Sequence, residues 1–153
     1  MSTAQPGRVM ERLPRWLGPA NHAIAWLQRR GIAFFTFQLL TVPGRVTGQP
    51  RTTPVSPLRL PEGTYIVSVG ETEWVKNARV AGWGLLARGK RERTVRLTEL
   101  DPRERVRVLR EFPIQVPHGV SFLVRLGAVE PPGDPDAFER ASARLAVFRA
   151  DPL

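Results

Sequence analysis

Two short segments hold most of the residues able to do chemistry. The first is Gly44-Arg45-Val46-Thr47-Gly48-Gln49-Pro50-Arg51-Thr52-Thr53-Pro54. Its glycines allow a tight turn and a close backbone approach to a ligand, with amide donors exposed. Arg45 and Arg51 bring permanently charged, forked donors whose geometry matches phosphate, and Thr47, Thr52 and Thr53 add hydroxyls. A basic surface turn between two strands would carry the same residues. The second segment is Ser68-Val69-Gly70-Glu71-Thr72-Glu73-Trp74-Val75-Lys76-Asn77-Ala78-Arg79. It reads as a strand entering a glycine turn and then a helix start, where amides and a hydroxyl can meet the polar edge of a ring. Trp74 suits the face of a planar ligand or the core. Asn77 suits an amide-like edge or a structural cap.

Other chemistries lack their residues. The chain has no cysteine, so disulfides and thiolate metal sites are excluded. Its two histidines, His22 and His118, stand far apart with no metal-binding spacing around either. That disfavours metal-dependent and Ser-His or Cys-His nucleophilic reactions, and gives haem no evident proximal ligand.

The elements that must position these segments follow from pattern. Residues 1–19 read as a loose N-terminal tail and residues 20–153 as one domain, with no repeat or internal linker. ANHAIAWLQRR (20–30) has a helical rhythm ending at Gly31. AFFTFQLLTV (33–42) reads as a strand, Pro43–Pro54 as a polar turn, and VSPLRL (55–60) as a proline-marked edge strand. TYIVSVG is the clearest strand, and EWVKNARVAG a short helix ending near Gly82. WGLLARG and RTVRLTEL form a hairpin across Gly89-Lys90-Arg91. Asp101-Pro102 opens a helix whose Val106, Leu109 and Phe112 share a face. Residues 113–128 fit either a loop or a short helix through SFLVRL. A proline-opened helix at 134–144 and a strand LAVFRA close the chain. Most strands follow one another through short turns, without the crossover helices a parallel sheet needs. The expected fold is mainly β: a small antiparallel barrel with flanking helices.

A net charge of +9 on 153 residues points to an anionic partner. Basic residues are spread through strand-like and amphipathic patterns without interleaved aromatics, which argues against nucleic acid and for a small phosphate-bearing ligand. Charges interrupt the first fifteen residues, and the longest apolar stretch, 31–42, falls well short of the roughly 20 residues a membrane span requires. A cytoplasmic location is expected. Ile24, Trp26 and Leu27 beside Arg29 and Arg30 leave a peripheral membrane contact open against packing on the barrel. Monomer and dimer are equally open.

Taken together, GRVTGQPRTTPV and GETEWVKNARVAG resemble the deazaflavin-dependent nitroreductase family, whose members typically read GRxSGxxRxxPL and then WxxNxRA. LLTV before the first motif and VFRA near the end agree, so the resemblance runs from about residue 31 to residue 150. It implies a split β-barrel related to the flavin-binding barrel of pyridoxamine phosphate oxidases. It also implies use of the deazaflavin coenzyme F420, with FMN as the alternative cofactor, to pass a hydride to a small organic acceptor. Carried across by position, Arg45 and Arg51 would face the cofactor phosphate, with Thr53 and Pro54 nearby. Ser68, Val69 and Gly70 would line the deazaflavin ring, and Trp74, Lys76 and Asn77 would complete the pocket.

Three departures bear on that reading. Val46 stands where the family often has a lysine, and Thr47 replaces a serine. The nitroimidazole-reducing relatives carry tyrosines in the C-terminal third, whereas the single tyrosine here is Tyr65. Phe112, Phe122 and Phe138 are expected to wall that side instead, favouring a quinone-like or enone-like acceptor. Hydride transfer suits a chain poor in acid–base residues, because the cofactor carries the chemistry; Ser68 or water would supply the proton. Two alternatives remain: a non-catalytic binder of a fatty acyl or other apolar anion, and an FMN or haem protein on the same barrel.

Overall fold

The computed structural model describes residues 38–153. The expected tail (1–19), the helix at 20–30 and residues 33–37 of the first expected strand lie outside the described residues. What is described begins with strands β1 (Gln38–Pro43), β2 (Pro50–Val55), β3 (Leu58–Leu60) and β4 (Gly63–Val69). Helix α1 (Glu73–Ala81) leads to β5 (Trp83–Arg88) and β6 (Arg91–Glu99). Helices α2 (Pro102–Gln115), α3 (Pro117–Arg125) and α4 (Pro135–Arg140) follow, and a short 3-10 turn enters β7 (Leu145–Pro152).

The strands form one antiparallel sheet in the order β2-β1-β5-β6-β7-β4-β3. Alternation along the strands divides its side chains between two cores, as a period of two requires. Ile66 of β4 and Ala146, Phe148 and Ala150 of β7 join Leu40, Val42, Leu86, Val95 and Leu97 in an inner core. Val55 of β2, from one end of the strand order, belongs to the same cluster. The sheet is thus curled until its two ends share one interior. Tyr65, Leu145 and Val147, out of phase with that set, pack instead with α2, α3 and α4. A third small cluster, Leu39, Trp83, Leu85 and Ala87, lies on the opposite side of β1 and β5 from Leu40 and Leu86.

Local chemistry accounts for most boundaries. Asp101 accepts a hydrogen bond from the Glu104 amide (2.9 Å) ahead of Pro102, and Asp134 does the same for Ala137 (2.9 Å) ahead of Pro135. Each Asp-Pro pair is an N-cap followed by a residue with no amide proton to satisfy. Gly82 ends α1 in the left-handed region (φ 71°), its amide donating to the Ala78 carbonyl.

Several expectations are corrected. The turn expected over Pro43–Pro54 occupies only its first half, because Pro50 starts β2; Pro50 and Pro54 are tolerated there since β2 is an edge strand bonded only to β1. Val55 ends β2, so VSPLRL is not one strand; β3 begins at Leu58. The hairpin loop is Gly89-Lys90, with Arg91 already in β6. The buried stripe of α2 is Val108, Leu109 and Phe112, with Val106 only half-buried. Residues 113–128 are mostly helical: α2 continues through Pro113 and α3 starts at Pro117, so the prolines bend the path without abolishing the helices.

Gly84 of β5 shows how closely β1 approaches. A Cβ there would lie 2.9 Å from the Thr41 carbonyl oxygen and 3.2 Å from both Leu40 and Val42 side chains. Gly84→Ala is therefore expected to lower stability by about 1–3 kcal/mol, the usual magnitude for overpacking. A urea midpoint unchanged from the parent would contradict this packing.

Candidate functional site

The β1–β2 turn closes on itself. The Gly44 amide donates to the Gln49 carbonyl (2.8 Å) and the Gly48 amide to the Gly44 carbonyl (2.9 Å). Gly48 takes φ 73°, which only glycine adopts readily. The Gln49 amide donates to Thr47 Oγ1 at 3.3 Å, and the Arg45 amide to Asn77 Oδ1 at 3.0 Å. Most of the amides expected to be exposed are therefore consumed within the protein. Those of Val46 and Thr47 are left for a ligand, so anion recognition here must lean on side chains.

Register supplies one. Arg51 lies opposite Val42 and Thr53 opposite Leu40. Directly paired residues share a sheet face, and Val42 and Leu40 belong to the inner core. Arg51 and Thr53 thus stand on the inward face of an edge strand. Behind them, Thr41 and Thr52 share a hydroxyl hydrogen bond of 2.8 Å.

The second segment forms an elbow between β4 and α1. Ser68 is buried, its Oγ 3.1 Å from Thr72 Oγ1 and donating weakly to the Gly70 carbonyl at 3.4 Å. Gly70, at φ 76°, donates its amide to the Arg144 carbonyl (2.8 Å). One helical turn further, Asn77 is 4 % exposed, and its Oδ1 accepts from both the amide and Nη1 of Arg45, the latter at 2.9 Å. Arg45 Nη1 also donates to Glu73 at 2.8 Å. That bond, with the nearby charges of Arg45 and Lys76, holds the Glu73 carboxyl below the ordinary carboxylate range. The two motifs, read separately in sequence, are thereby bonded together.

Between them opens a cavity of about 1070 Å³. Arg45, Arg51, Thr53 and Pro54 line one side, and Ser68, Val69, Trp74 and Asn77 another. Trp74 reaches the cavity while its ring packs on Phe148 of the inner core, centroids 5.4 Å apart and tilted 53°, so it is both wall and core. Asn77 lines the cavity too, but its oxygen is spent on Arg45, leaving only its amide nitrogen to offer. Two expected residues stand elsewhere. Lys76 is not among the lining residues and pairs with Glu73 at 3.5 Å on the next helical face. Gly70 lines a smaller neighbouring cavity, because the elbow turns its backbone toward Arg144.

The third wall comes from α2 and α3: Phe112, Val116, His118, Gly119, Phe122, Leu123 and Leu126. Phe112 and Phe122 stand where expected. Phe138 does not; it is fully buried and stacks on Phe112 from behind, centroids 5.2 Å apart. Sequence reasoning missed the rest because Pro113 and Pro117 obscure the helical period. The spacing Phe112, Val116, Gly119, Leu123 was the available signal. It also set His118 aside as isolated, whereas α3 puts it on the cavity wall. Val46 (87 % exposed), Val69, Phe122 (62 %) and Leu126 are all exposed apolar residues that line this cavity. Apolar surface gathered at the rim of a concave site marks a binding site more often than chance exposure. Among the described residues no helix is long and apolar enough to cross a membrane.

No family model matches the sequence, and no curated protein matches it. Solved structures do. A protein of unknown function from Agrobacterium tumefaciens superposes with a TM-score of 0.55 at 16 % identity, over 75 % of this chain and 47 % of that one. ChuZ from Campylobacter jejuni gives 0.52 at 13 % identity, over 76 % and 47 %. An F420-H2 dependent reductase gives 0.51 at 14 % identity, over 76 % of this chain and 94 % of that one. This chain spans about half the length of the Agrobacterium and Campylobacter proteins. At such identities the likeness concerns the fold alone, and the fold is the antiparallel split β-barrel with flanking helices that the motifs imply.

Proposed function

We propose that this chain is an oxidoreductase that holds reduced coenzyme F420 in the large cavity and serves a quinone-like or enone-like acceptor. The observation that carries the reading is the make-up of that cavity. An inward-facing arginine and threonine lie on one wall, an indole and a buried serine on the second, and an apolar helical wall faces them. Its volume of about 1070 Å³ suits a planar cofactor with an acceptor beside it, since single-ligand pockets run to roughly 1,000 Å³. The fold shared with an F420-H2 dependent reductase supports the same choice.

When bound, the deazaflavin supplies the hydride, so the chain needs no acid–base pair of its own. Arg51 would bind the phosphate with Thr53 beside it, while Pro54 keeps the edge strand stiff. Trp74 and Val69 would flank the ring. Ser68, its hydroxyl held by Thr72, would hold a proton for the acceptor or orient the water that supplies it. Phe112, Val116, Phe122 and Leu126 would exclude water from the acceptor side. That wall has no tyrosine, which favours quinones over bicyclic nitroimidazoles.

A second reading, a non-catalytic binder of an apolar anion, draws on the exposed apolar rim and on the engagement of Arg45 by Glu73 and Asn77. Titration of the purified chain with F420, FMN and haem separates the readings; His118 on the wall makes haem a necessary arm. F420 is expected to bind tighter than FMN, and its reduced form to be oxidised by menadione faster than by a bicyclic nitroimidazole. FMN or haem binding tighter than F420 by about tenfold, or no acceptor turnover with F420 bound, would overturn the first reading.

Arg51→Ala removes a charge-assisted bond, typically about 1.5–3 kcal/mol, and should weaken F420 binding by about 10- to 150-fold. A deazaflavin fragment lacking the phosphate and tail should bind almost unchanged. Equal weakening of both ligands in a folded variant would mean that Arg51 shapes the strand and does not grip phosphate.

Glu73 competes with any anion for Arg45. Glu73→Gln removes that competitor and should tighten F420 binding by up to about fivefold, the equivalent of an exposed ion pair. Weaker binding would instead make Glu73 the group that aims Arg45.

A further inference from the structure

Behind the β4–α1 elbow lies the smaller cavity, about 390 Å³, lined by Arg79, Arg105 and Arg144 with Glu71 as the one carboxylate. We infer that it is an oxyanion-binding subsite, taking the carboxylate or phosphate head of an amphiphilic ligand whose apolar part lies in the larger cavity.

The three arginines are not equivalent. Arg79 is saturated: its guanidinium donates to both oxygens of Glu71 and both of Glu99. Those carboxylates hold its pKa above the ordinary arginine value. One guanidinium charge is thus shared by two carboxylates. Arg144 gives one bond through Nη2 to the Ala128 carbonyl, at 3.3 Å. The Nε of Arg105 is buried and has no hydrogen-bond partner among the described residues.

An orphaned donor on a cation is expensive, more so than on a neutral group, and its position makes it more telling. Arg105 precedes Leu109, Phe112 and Val116 by four, seven and eleven residues, so it continues the packed stripe of α2 and does not sit on its solvent face. A stripe position would ordinarily hold an apolar residue. Here it holds an arginine that lines a cavity, and with Arg79 shared between Glu71 and Glu99 the charges of Arg105 and Arg144 leave the lining net positive. An oxyanion in the cavity would balance that charge, through the forked geometry that guanidinium favours.

The two cavities touch. Val69 and Leu126 line both, and each exposes apolar surface. A ligand with an apolar body and an anionic head would cross that sill, its body against the α3 wall and its head at Arg105. This assignment does not depend on whether F420 occupies the larger cavity.

The test uses decanoate, decyl phosphate and decanol, titrated calorimetrically into the full chain at low salt. At least one anion should bind about tenfold or more tighter than decanol, and the stronger of the two identifies the head group. Arg105→Met keeps the aliphatic reach and deletes the charge. It should remove that preference and leave decanol affinity unchanged, while Arg105→Lys retains part of it. A thermal melt should show Arg105→Met no less stable than the parent, since it removes an unsatisfied donor. Equal binding of anions and decanol, no binding of any probe, or equal weakening of all three by Arg105→Met would each overturn the subsite. F420 affinity, measured on the same variant, should stay unchanged. If F420 fails to bind the parent while the anion preference persists, the cofactor reading fails and the subsite stands.

Discussion

A curled sheet whose end strands do not pair must be held closed by something other than its own ladder. Here β2 ends the strand order on one side and β4 with β3 on the other, and among the described residues no strand hydrogen bond joins them. The shared inner core makes part of the join, and Asn77 makes its polar fastening. Its buried Oδ1 takes both the main-chain amide and the guanidinium of Arg45, so the first helix after β4 is fastened to the turn between β1 and β2. Breaking such a bond leaves a buried polar group unpaired, which is worth more than the bond's net contribution to folding. The position of the cavity follows from that fastening, because one wall hangs from each of the two elements it connects.

The two cores explain why the cavity stays open above the join. Alternate residues of β4 and β7 serve the inner barrel and the helical layer in turn, so neither face of these strands is free to collapse into the gap. Trp74 fills the floor by packing on Phe148. The far wall belongs to α2 and α3, whose path bends at Pro113 and Pro117. Those helices pack downward through Phe112 and Leu123, leaving Phe122 and Leu126 exposed at the rim. Each element satisfies its own packing, and together they leave an apolar mouth unfilled.

Much of this was legible in the residues. Asp101-Pro102 and Asp134-Pro135 mark helix starts because the cap and the missing amide proton are local effects. Ile66 and Ser68, alternating with Tyr65 and Val67, mark β4 because its two faces meet different cores. The strand β2 was hidden by its prolines, which are depleted in sheets but acceptable on an edge, and edge position is a tertiary fact. The α3 wall was hidden for the same kind of reason: proline punctuation suggested a loop, while burial of Val116 and Leu123 in the core shared with α2 made helix. Lys76 shows the limit of positional transfer. It sits within the motif, yet one residue of helix rotation turns it to Glu73 and away from the cavity beside Asn77.

The charge of the chain has a similar resolution. A net +9 looks like a diffuse attraction to anions, and several of the described arginines are already answered by carboxylates. Arg79 is held by Glu71 and Glu99, Arg107 by Glu62, Arg110 by Asp136 and Glu139, Arg140 by Glu130 and Arg149 by Asp151. Such exposed pairs add little stability and are screened by salt; their consequence is to cancel charge locally, where they form. Arg51 and Arg105 stand outside these pairs, and both line cavities. A concave wall lets several such groups converge on one anion, which an open face does not. The part of the charge that lines the two cavities, on either side of the β4–α1 elbow, favours ligands small enough to enter them.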